Sequence, residues 1–395
     1  MAGRVRLAVV GAGNMGTQHL RDLCAMDGVE LAAVCDSDEG RAAAASSAYG
    51  IPAYMDAVSL LDAGVAEGIV IATPHYYHPP IAIEAFRRGV HVLSEKPIAV
   101  HLRDARRMIA AFEEGRRAKP SLVFTAMFQQ RTQANWMKVK ELISSGALGR
   151  IVRATWIITD WFRTQAYYDS GGWRATWNGE GGGVLMNQCP HNLDLFQWFL
   201  GMPKRVTAFA SLGKYHNIEV EDEVTAYFEY SNGMVGHFIT TTAESPGTNR
   251  LEIVGEMGKL VCEGGMLRFS RNAKSMLAHL KEASAPWEPL SFSEEEVATE
   301  GPMTGNHRIV LEDFASSIRE GRAPRIDGRE GIAMVELDNA IMLSALEKRT
   351  VELPLERDVF ETRLAELCAS SRFVKTERSF EGKDDDFARS YGAGR

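Results

Sequence analysis

Across the first third of the chain, short runs in which nearly every position is apolar alternate with stretches whose apolar residues recur at helical spacing. Residues 5–10, 31–35, 69–73, 90–94 and 122–128 form the first set. Runs of that length with so few polar positions fit strands buried on both faces. Residues 15–26, 81–88 and 102–112 form the second set. Strands alternating with crossover helices predict a doubly wound parallel sheet.

The pattern changes near residue 125. After a helical stretch at 136–145 come longer runs with period-two character at 151–159, 205–212, 223–230 and 235–242. Asn232-Gly233 lies between the last two, where the dipeptide predicts a type I′ hairpin turn. Helical spacing returns at 308–319 and 328–346. The expected architecture is therefore α/β plus α+β. A Rossmann-type domain at 1–125 precedes a domain at 126–356 built on a large, mainly antiparallel open sheet flanked by helices. Residues 357–395 form a charged extension, containing Lys383-Asp384-Asp385-Asp386, that either frays or wraps a partner subunit.

Composition narrows the function classes. The 395 residues are 45% apolar, enough for two cores, and carry a net charge of -8. That balance argues against phosphate backbones and anionic membranes as partners. Cys24, Cys35, Cys189, Cys262 and Cys368 are scattered and odd in number, which favours neither a disulfide framework nor a zinc ribbon and fits a reducing cytoplasm. Met1-Ala2-Gly3-Arg4 leads straight into the first apolar run without a signal-peptide pattern, and no apolar run is long enough to span a bilayer. The expectation is a protein of the cytoplasm.

Gly11-Ala12-Gly13-Asn14-Met15-Gly16 follows the first strand and opens the first helix. In that context the glycines give a tight turn, close approach of backbone to a pyrophosphate, and close packing of helix on strand, with the anion at the positive end of the helix. Asp36, followed by Ser37, ends the second strand 25 residues after Gly11, where an acid accepts both ribose hydroxyls of an adenosine. Its charge also repels a 2′-phosphate, so the expected cofactor is NAD rather than NADP, with Arg41 able to soften that preference. The bland alternative is a flavodoxin-like turn that binds no dinucleotide.

Two further segments end the following strands, Thr73-Pro74-His75-Tyr76-Tyr77-His78 and Glu95-Lys96-Pro97. Taken in order with the glycine turn and with Gly181-Gly182-Gly183 leading to His191-x-x-Asp194, they resemble the Gfo/Idh/MocA superfamily, whose name joins glucose-fructose oxidoreductase, inositol dehydrogenase and rhizopine catabolism. The resemblance runs from residue 5 to about residue 355. It implies that Lys96 is catalytic or positions the reacting carbinol, that His191 is the site histidine, and that Thr73, Pro74, His78, Glu95 and Lys96 border the cofactor. A base is needed for the hydroxyl proton while hydride leaves, and burial beside an oxidised nicotinamide lowers a lysine toward that task. Spacing of three places Asp194 on the same helix face as His191, where it could fix the imidazole tautomer. One departure stands out: the family pattern has an aspartate four residues before this histidine, and here that position is Asn187. An amide bonds a hydroxyl but holds no proton. His75 and His78 lack further ligands in the sequence, and no metal is expected.

Trp156, Trp161, Phe162, Tyr167, Tyr168, Trp173 and Trp177 crowd the segment before the His191 helix. They suggest rings stacked on a sugar or aglycone, with Tyr168, Trp161, Arg163, Trp173, Arg174, Asn187, His191 and Lys96 as substrate contacts. A subunit-interface patch is the competing explanation. The leading functional expectation is NAD-dependent hydride transfer at a ring secondary alcohol of a sugar, glycoside or cyclitol, leaning to oxidation of a glycoside to a keto-glycoside. The alternatives are a redox-neutral cycle on tightly bound NAD (oxidation, elimination, re-reduction) and a non-catalytic cofactor sensor. The open antiparallel sheet is an expected homodimer or homotetramer surface.

Overall fold

The computed structural model describes residues 3–378; the stretch Lys383-Asp384-Asp385-Asp386 lies outside the described residues. The first sheet consists of β1 (Val5–Val10), β2 (Val29–Cys35), β3 (Ala53–Tyr54), β4 (Gly68–Ile71), β5 (His91–Ser94) and β6 (Phe124–Ala126). Its order is β3-β2-β1-β4-β5-β6, and every pairing is parallel. All four residues of β4 and of β5 are buried, because helices cover both faces of a parallel sheet. The strand order reverses between β1 and β4, so their carboxyl ends open the crevice in which ligands of such sheets bind.

The helix Glu39–Tyr49 and the short β3 carry almost no apolar periodicity. Ala42 is the one buried residue of that helix, and a helix that buries a single alanine leaves no stripe to read.

The second sheet has nine strands: β7 (Ile151–Ile158), β8 (Arg205–Leu212), β9 (Glu221–Glu229), β10 (Val235–Thr241), β11 (Asn249–Gly255), β12 (Gly258–Glu263), β13 (Met266–Asn272), β14 (Phe292–Glu296) and β15 (Val351–Glu352). Their order is β14-β13-β12-β11-β7-β10-β9-β8-β15. Pairing is antiparallel except between β7 and β10. The sequence pattern misses β11 to β14, which offer little alternation to read: Leu251 and Ile253 are buried in β11, the consecutive Leu260, Val261 and Cys262 in β12, Leu267 and Phe269 in β13, and no residue in β14.

The hairpin between β9 and β10 is not type I′. Gly233 takes φ +83°, Asn232 is not among the positive-φ residues, and the Gly233 N–H donates to the Tyr230 carbonyl while the Tyr230 N–H donates to Met234. This is a three-residue loop, a turn followed by a left-handed glycine. The Asn232 side chain spends its acceptor on the Met234 N–H at 3.0 Å, which holds the asparagine out of the left-handed region.

The helix Gly331–Glu347 lies over β8, whose Ala208 N–H donates to Ser344 Oγ at 2.9 Å. Asn339 on the same helix accepts from the Leu102 N–H and donates to the Val100 carbonyl, both at 3.1 Å. One buried amide thus ties the second sheet's helix to the segment that follows Glu95-Lys96-Pro97. Beyond the helix Val359–Ser370, the chain runs back over the short helix Gln165–Asp169. The Arg378 N–H donates to the Asp169 carbonyl at 2.9 Å, and Lys375 Nζ donates to the Tyr168 carbonyl.

Candidate active site

The glycine turn has the geometry of an anion cradle. Gly11 takes φ +97°, a conformation that favours glycine, and a Cβ there would lie 2.7 Å from the Ala72 backbone. A Cβ on Gly16 would lie 1.7 Å from the Gly11 carbonyl, whereas nothing stands within 4 Å of the Cβ position of Gly13. Gly13 begins the helix Asn14–Cys24, which no side chain caps. The first-turn positions Asn14, Met15 and Gly16 therefore present a helix amino terminus to this open space.

Asp36 Oδ2 accepts from the Ala12 N–H at 2.7 Å and Oδ1 from the Asp38 N–H at 2.8 Å, so the acid is fixed against the turn. Ser37 and Arg41 are exposed, and Arg41 is drawn to Asp38, at 3.8 Å. Thr73, next to Pro74 beyond β4, has a buried Oγ1 with no hydrogen-bond partner among the described residues. An open helix terminus, a fixed acid and an unpaired hydroxyl fit a dinucleotide laid across the strand ends.

Lys96 follows β5, and its Nζ donates to the Asn187 main-chain carbonyl at 3.0 Å. Burial lowers the lysine, Glu95 and Glu180 pull the other way, and Arg174 adds to the lowering. Asn187 ends the short helix Val184–Asn187 and its side chain is fully engaged. Nδ2 donates to Glu180 Oε1, and Oδ1 accepts from the Tyr167 hydroxyl and from Gln188 Nε2, both at 3.1 Å. Tyr167 in turn accepts from Arg174 Nη1 and Gln188 Nε2 at 3.0 Å each.

Glu95 accepts from buried His19 at 2.8 Å. Burial raises it, but the His19 hydrogen bond and neighbouring positive charge outweigh that and hold it at about 2.

His191 is buried in the helix Pro190–Leu200. Its basicity is well below the ordinary value, through desolvation first and then the charge of Lys96. Asp194 does not orient it. Asp194 is held by Arg131, which donates from Nε at 2.7 Å and Nη2 at 2.6 Å. The histidine's neighbour is Gln129, whose Nε2 lies 3.1 Å from His191 Nε2. The spacing of three correctly puts both residues on one face, but an arginine from the segment Gln129–Thr132 claims the carboxylate. His191 Nδ1 has no hydrogen-bond partner among the described residues.

His78 is fully buried, with Nδ1 2.8 Å from the Pro97 carbonyl and Nε2 2.7 Å from the Thr73 carbonyl. It braces the two strand-end segments against each other instead of facing the crevice. His75 Nδ1 lies 3.2 Å from the Glu180 carbonyl, and its ring meets Trp173 edge-on at 5.7 Å.

The aromatic segment divides. Trp156, Tyr168 and Trp177 are core residues; Trp156 Nε1 donates to Asn249 and the Tyr168 hydroxyl donates to Thr242 Oγ1 at 2.8 Å. The tyrosine bonded to Asn187 is Tyr167, one position earlier in the helix Gln165–Asp169. Trp161, Phe162 and Trp173 retain exposed surface. The Arg163 guanidinium lies over Trp161 and Tyr167, and that of Arg174 over Tyr167 and Trp173.

Sequence reasoning passed over Glu180, Gln129 and Arg131. Glu180 sits among glycines and reads as a solvated turn residue, yet it is buried. Only the folding back of its loop onto Asn187 distinguishes it.

Comparison with known proteins bears on the family and the cofactor. Residues 5–118 match the profile described as an oxidoreductase family with an NAD-binding Rossmann fold, and residues 136–261 match the GFO/IDH/MocA C-terminal domain. The chain is 30% identical to inositol 2-dehydrogenase 2 of Saccharopolyspora erythraea over 262 residues, 65% of this chain and 72% of the relative. It is 28% identical to D-apiose dehydrogenase of Paraburkholderia graminis, over 89% of this chain and 90% of the relative. Among solved structures it is similar to the WlbA dehydrogenase of Bordetella pertussis in complex with NADH and UDP-GlcNAcA. There the TM-score is 0.74 and the identity 29%, over 89% of this chain and 100% of the other.

Proposed function

The chain belongs to the Gfo/Idh/MocA family of NAD-dependent oxidoreductases acting on CH–OH groups, and from that premise we propose that it oxidises a ring secondary alcohol of a glycoside to the keto-glycoside. The coarser statement, an NAD-dependent oxidoreductase of sugar or cyclitol alcohols, holds whichever ring is the substrate. The observation that carries the finer reading is the exposed surface of Trp161 and Trp173, each with a guanidinium over it from Arg163 or Arg174, in the segment that also brings Tyr167 to Asn187.

Bound NAD supplies the hydride acceptor. Asp36 and the amino terminus of the helix Asn14–Cys24 would hold its adenosine ribose and pyrophosphate, with Thr73 toward the nicotinamide end. Lys96 takes the hydroxyl proton, since burial favours its neutral amine. With the Gln129 amide nitrogen donating to Nε2, the neutral imidazole of His191 carries its hydrogen on Nδ1 and donates it to the reacting oxygen. Asn187 acts as a brace for Lys96. Trp161 and Trp173, backed by Arg163 and Arg174, offer faces and donors to a sugar ring and its aglycone.

A second copy of the chain is the partner proposed for the open face of β8 and β9, where Phe209 is 73% exposed. All five cysteines are free, which supports a reducing compartment, and among the described residues no helix is long and apolar enough to cross a membrane.

The test is nicotinamide absorbance on the purified protein supplied with NAD and with sugars, cyclitols and aryl glycosides in turn. Repeated turnover on glycosides is expected, with Trp173→Ala losing bulky glycosides more than free sugars. Turnover confined to cyclitols would overturn the glycoside reading. Consumption of substrate with no more than one equivalent of NADH would replace it with a redox-neutral cycle.

A further inference from the structure

We propose that Glu180 is the positioning residue that supplies the counter-charge to Lys96, acting through Asn187. The inference rests on Lys96 being the proton acceptor. In the oxidation the hydroxyl proton passes to the Lys96 amine, while the C–H hydrogen leaves with its electron pair as hydride for the oxidised nicotinamide, and C=O forms. The step turns a neutral amine into an ammonium in a desolvated site, and an ammonium there is costly without an opposite charge.

Two acids act on Lys96, Glu95 and Glu180. Glu95 is already committed to His19, and its other oxygen accepts from the Lys96 main-chain N–H at 3.1 Å. Glu180 has no such histidine partner, although the Arg174 charge also acts on it. It is buried, and it accepts from two N–H donors, Ala175 N at 2.6 Å and Asn187 Nδ2. Two donors with no facing acceptor are the surroundings of an ionised carboxylate.

Burial is the largest influence and leaves Glu180 above its ordinary value, opposed first by Arg174 and then by the Ala175 and Asn187 hydrogen bonds and by Lys96. Lys375 adds positive charge from the carboxyl-terminal segment, and Glu221, whose acid burial pushes up to about 7, is the other carboxyl near Glu180. The imidazoles facing Lys96, His75, His78, His191 and His307, are all lowered by burial and contribute little charge.

Asn187 is the mechanical link. Its main-chain carbonyl receives Lys96 Nζ and its side-chain amide is anchored on Glu180, with the far side of that amide held by Tyr167 and Gln188. The side chains of residues 180 and 187 touch, so a negative charge can be exchanged between them without moving the backbone.

That exchange is the experiment. Glu180→Gln is expected to lower kcat about tenfold to a hundredfold with KM changed less than about twofold, and to move the rising limb of the pH profile to lower pH as Lys96 loses its counter-charge. The double variant Glu180→Gln/Asn187→Asp returns the charge to the neighbouring position and is expected to recover most of the rate and return the limb upward. A readout without turnover uses the cofactor-free protein: acetylation of Lys96 by acetic anhydride across pH, followed by peptide mass. Its midpoint should fall by about one pH unit in Glu180→Gln and rise again in the double variant. An unchanged midpoint, or a double variant no better than the single one, overturns the proposal. If the wild-type protein oxidises no carbohydrate, the function above fails while the acetylation midpoints still decide this inference. Should Glu180→Gln not fold, Glu180→Asp decides: the shortened side chain draws its carboxylate away from the Asn187 amide, so the Lys96 midpoint must fall, and a static midpoint sinks the idea.

Discussion

Arg131 and Asp194 form a buried, bidentate ion pair, Nε to Oδ2 at 2.7 Å and Nη2 to Oδ1 at 2.6 Å, three residues along the helix from His191. Gln197 adds a third donor to the carboxylate at 3.1 Å, and the guanidinium lies over Phe128 and Trp198. The pair fixes the helix carrying His191 against the segment carrying Gln129. Arg131 Nη1 also donates to Glu330, so Asp194→Asn leaves the guanidinium with one acid and is expected to cost about 1.5–3 kcal/mol, read as a lower urea midpoint. A loss below ~1 kcal/mol would mean that the pair does not lock the two segments together.

The two later glycines of the phosphate turn should separate folding from binding. A methyl on Gly16 meets the Gly11 carbonyl, whereas one on Gly13 meets nothing. Gly16→Ala is expected to lower the melting temperature by several degrees, since relieving such an overlap typically costs about 1–3 kcal/mol. Gly13→Ala should melt like the parent but bind NAD at least about tenfold more weakly by calorimetry, because the open space is where a pyrophosphate approaches. Equal NAD affinity for Gly13→Ala and the parent would place the cofactor elsewhere.

Adjacent tyrosines should give opposite phenotypes. Tyr167 joins Asn187, Arg174 and Gln188, and Tyr168 bonds Thr242 in the core. Tyr167→Phe is expected to reduce kcat/KM severalfold with little change in stability. Tyr168→Phe should cost about 1 kcal/mol of stability and leave kcat near the parent's. Kinetics and urea unfolding on both proteins check the assignment, which a reversed pattern would falsify.

Glu221 makes stability depend on pH. Its Oε1 accepts from the Gly183 and Leu185 N–H groups at 2.8 and 3.1 Å, holding the glycine run that leads to Asn187. Burial is the main force that pushes its acid up to about 7. The folded state therefore favours the protonated form. This contribution is fully present below the ordinary carboxyl range and is lost as pH rises through about 7. Glu221→Gln keeps the acceptor and removes the titration. Relative to the parent it is expected to be near neutral at about pH 5 and more stable at about pH 8, by on the order of 3 kcal/mol for a shift of this size. Parallel unfolding curves for the two proteins across that range would rule Glu221 out as the titrating group.

The parallel sheet and its glycine turn were legible because they are written locally. Runs such as 69–73 are apolar at nearly every position of the strand they predict, and Gly11, Gly13 and Gly16 sit at a strand-to-helix junction that only small residues tolerate. Strands β11 to β14 were not legible, since strands with three or fewer buried apolar residues, and none in β14, gain their stability from neighbours distant in sequence. The hairpin at Asn232-Gly233 was placed correctly and typed wrongly, because a side-chain bond to Met234 set the asparagine's conformation.

At the site, the sequence by itself determined the chemistry available: an acid after β2, a lysine after β5, and a histidine opening a helix behind a glycine run. The tertiary structure alone decided who partners whom. Asp194 shares a helix face with His191 yet belongs to Arg131, Tyr167 rather than Tyr168 reaches Asn187, and Glu180 stands beside the amide that occupies the aspartate's place. Such pairings join residues from loops and helices far apart in the chain, and a buried charge takes whichever opposite charge folding brings within reach. Spacing along one element fixes the face a residue occupies, but the competition for its hydrogen bonds is settled by what packs against that face.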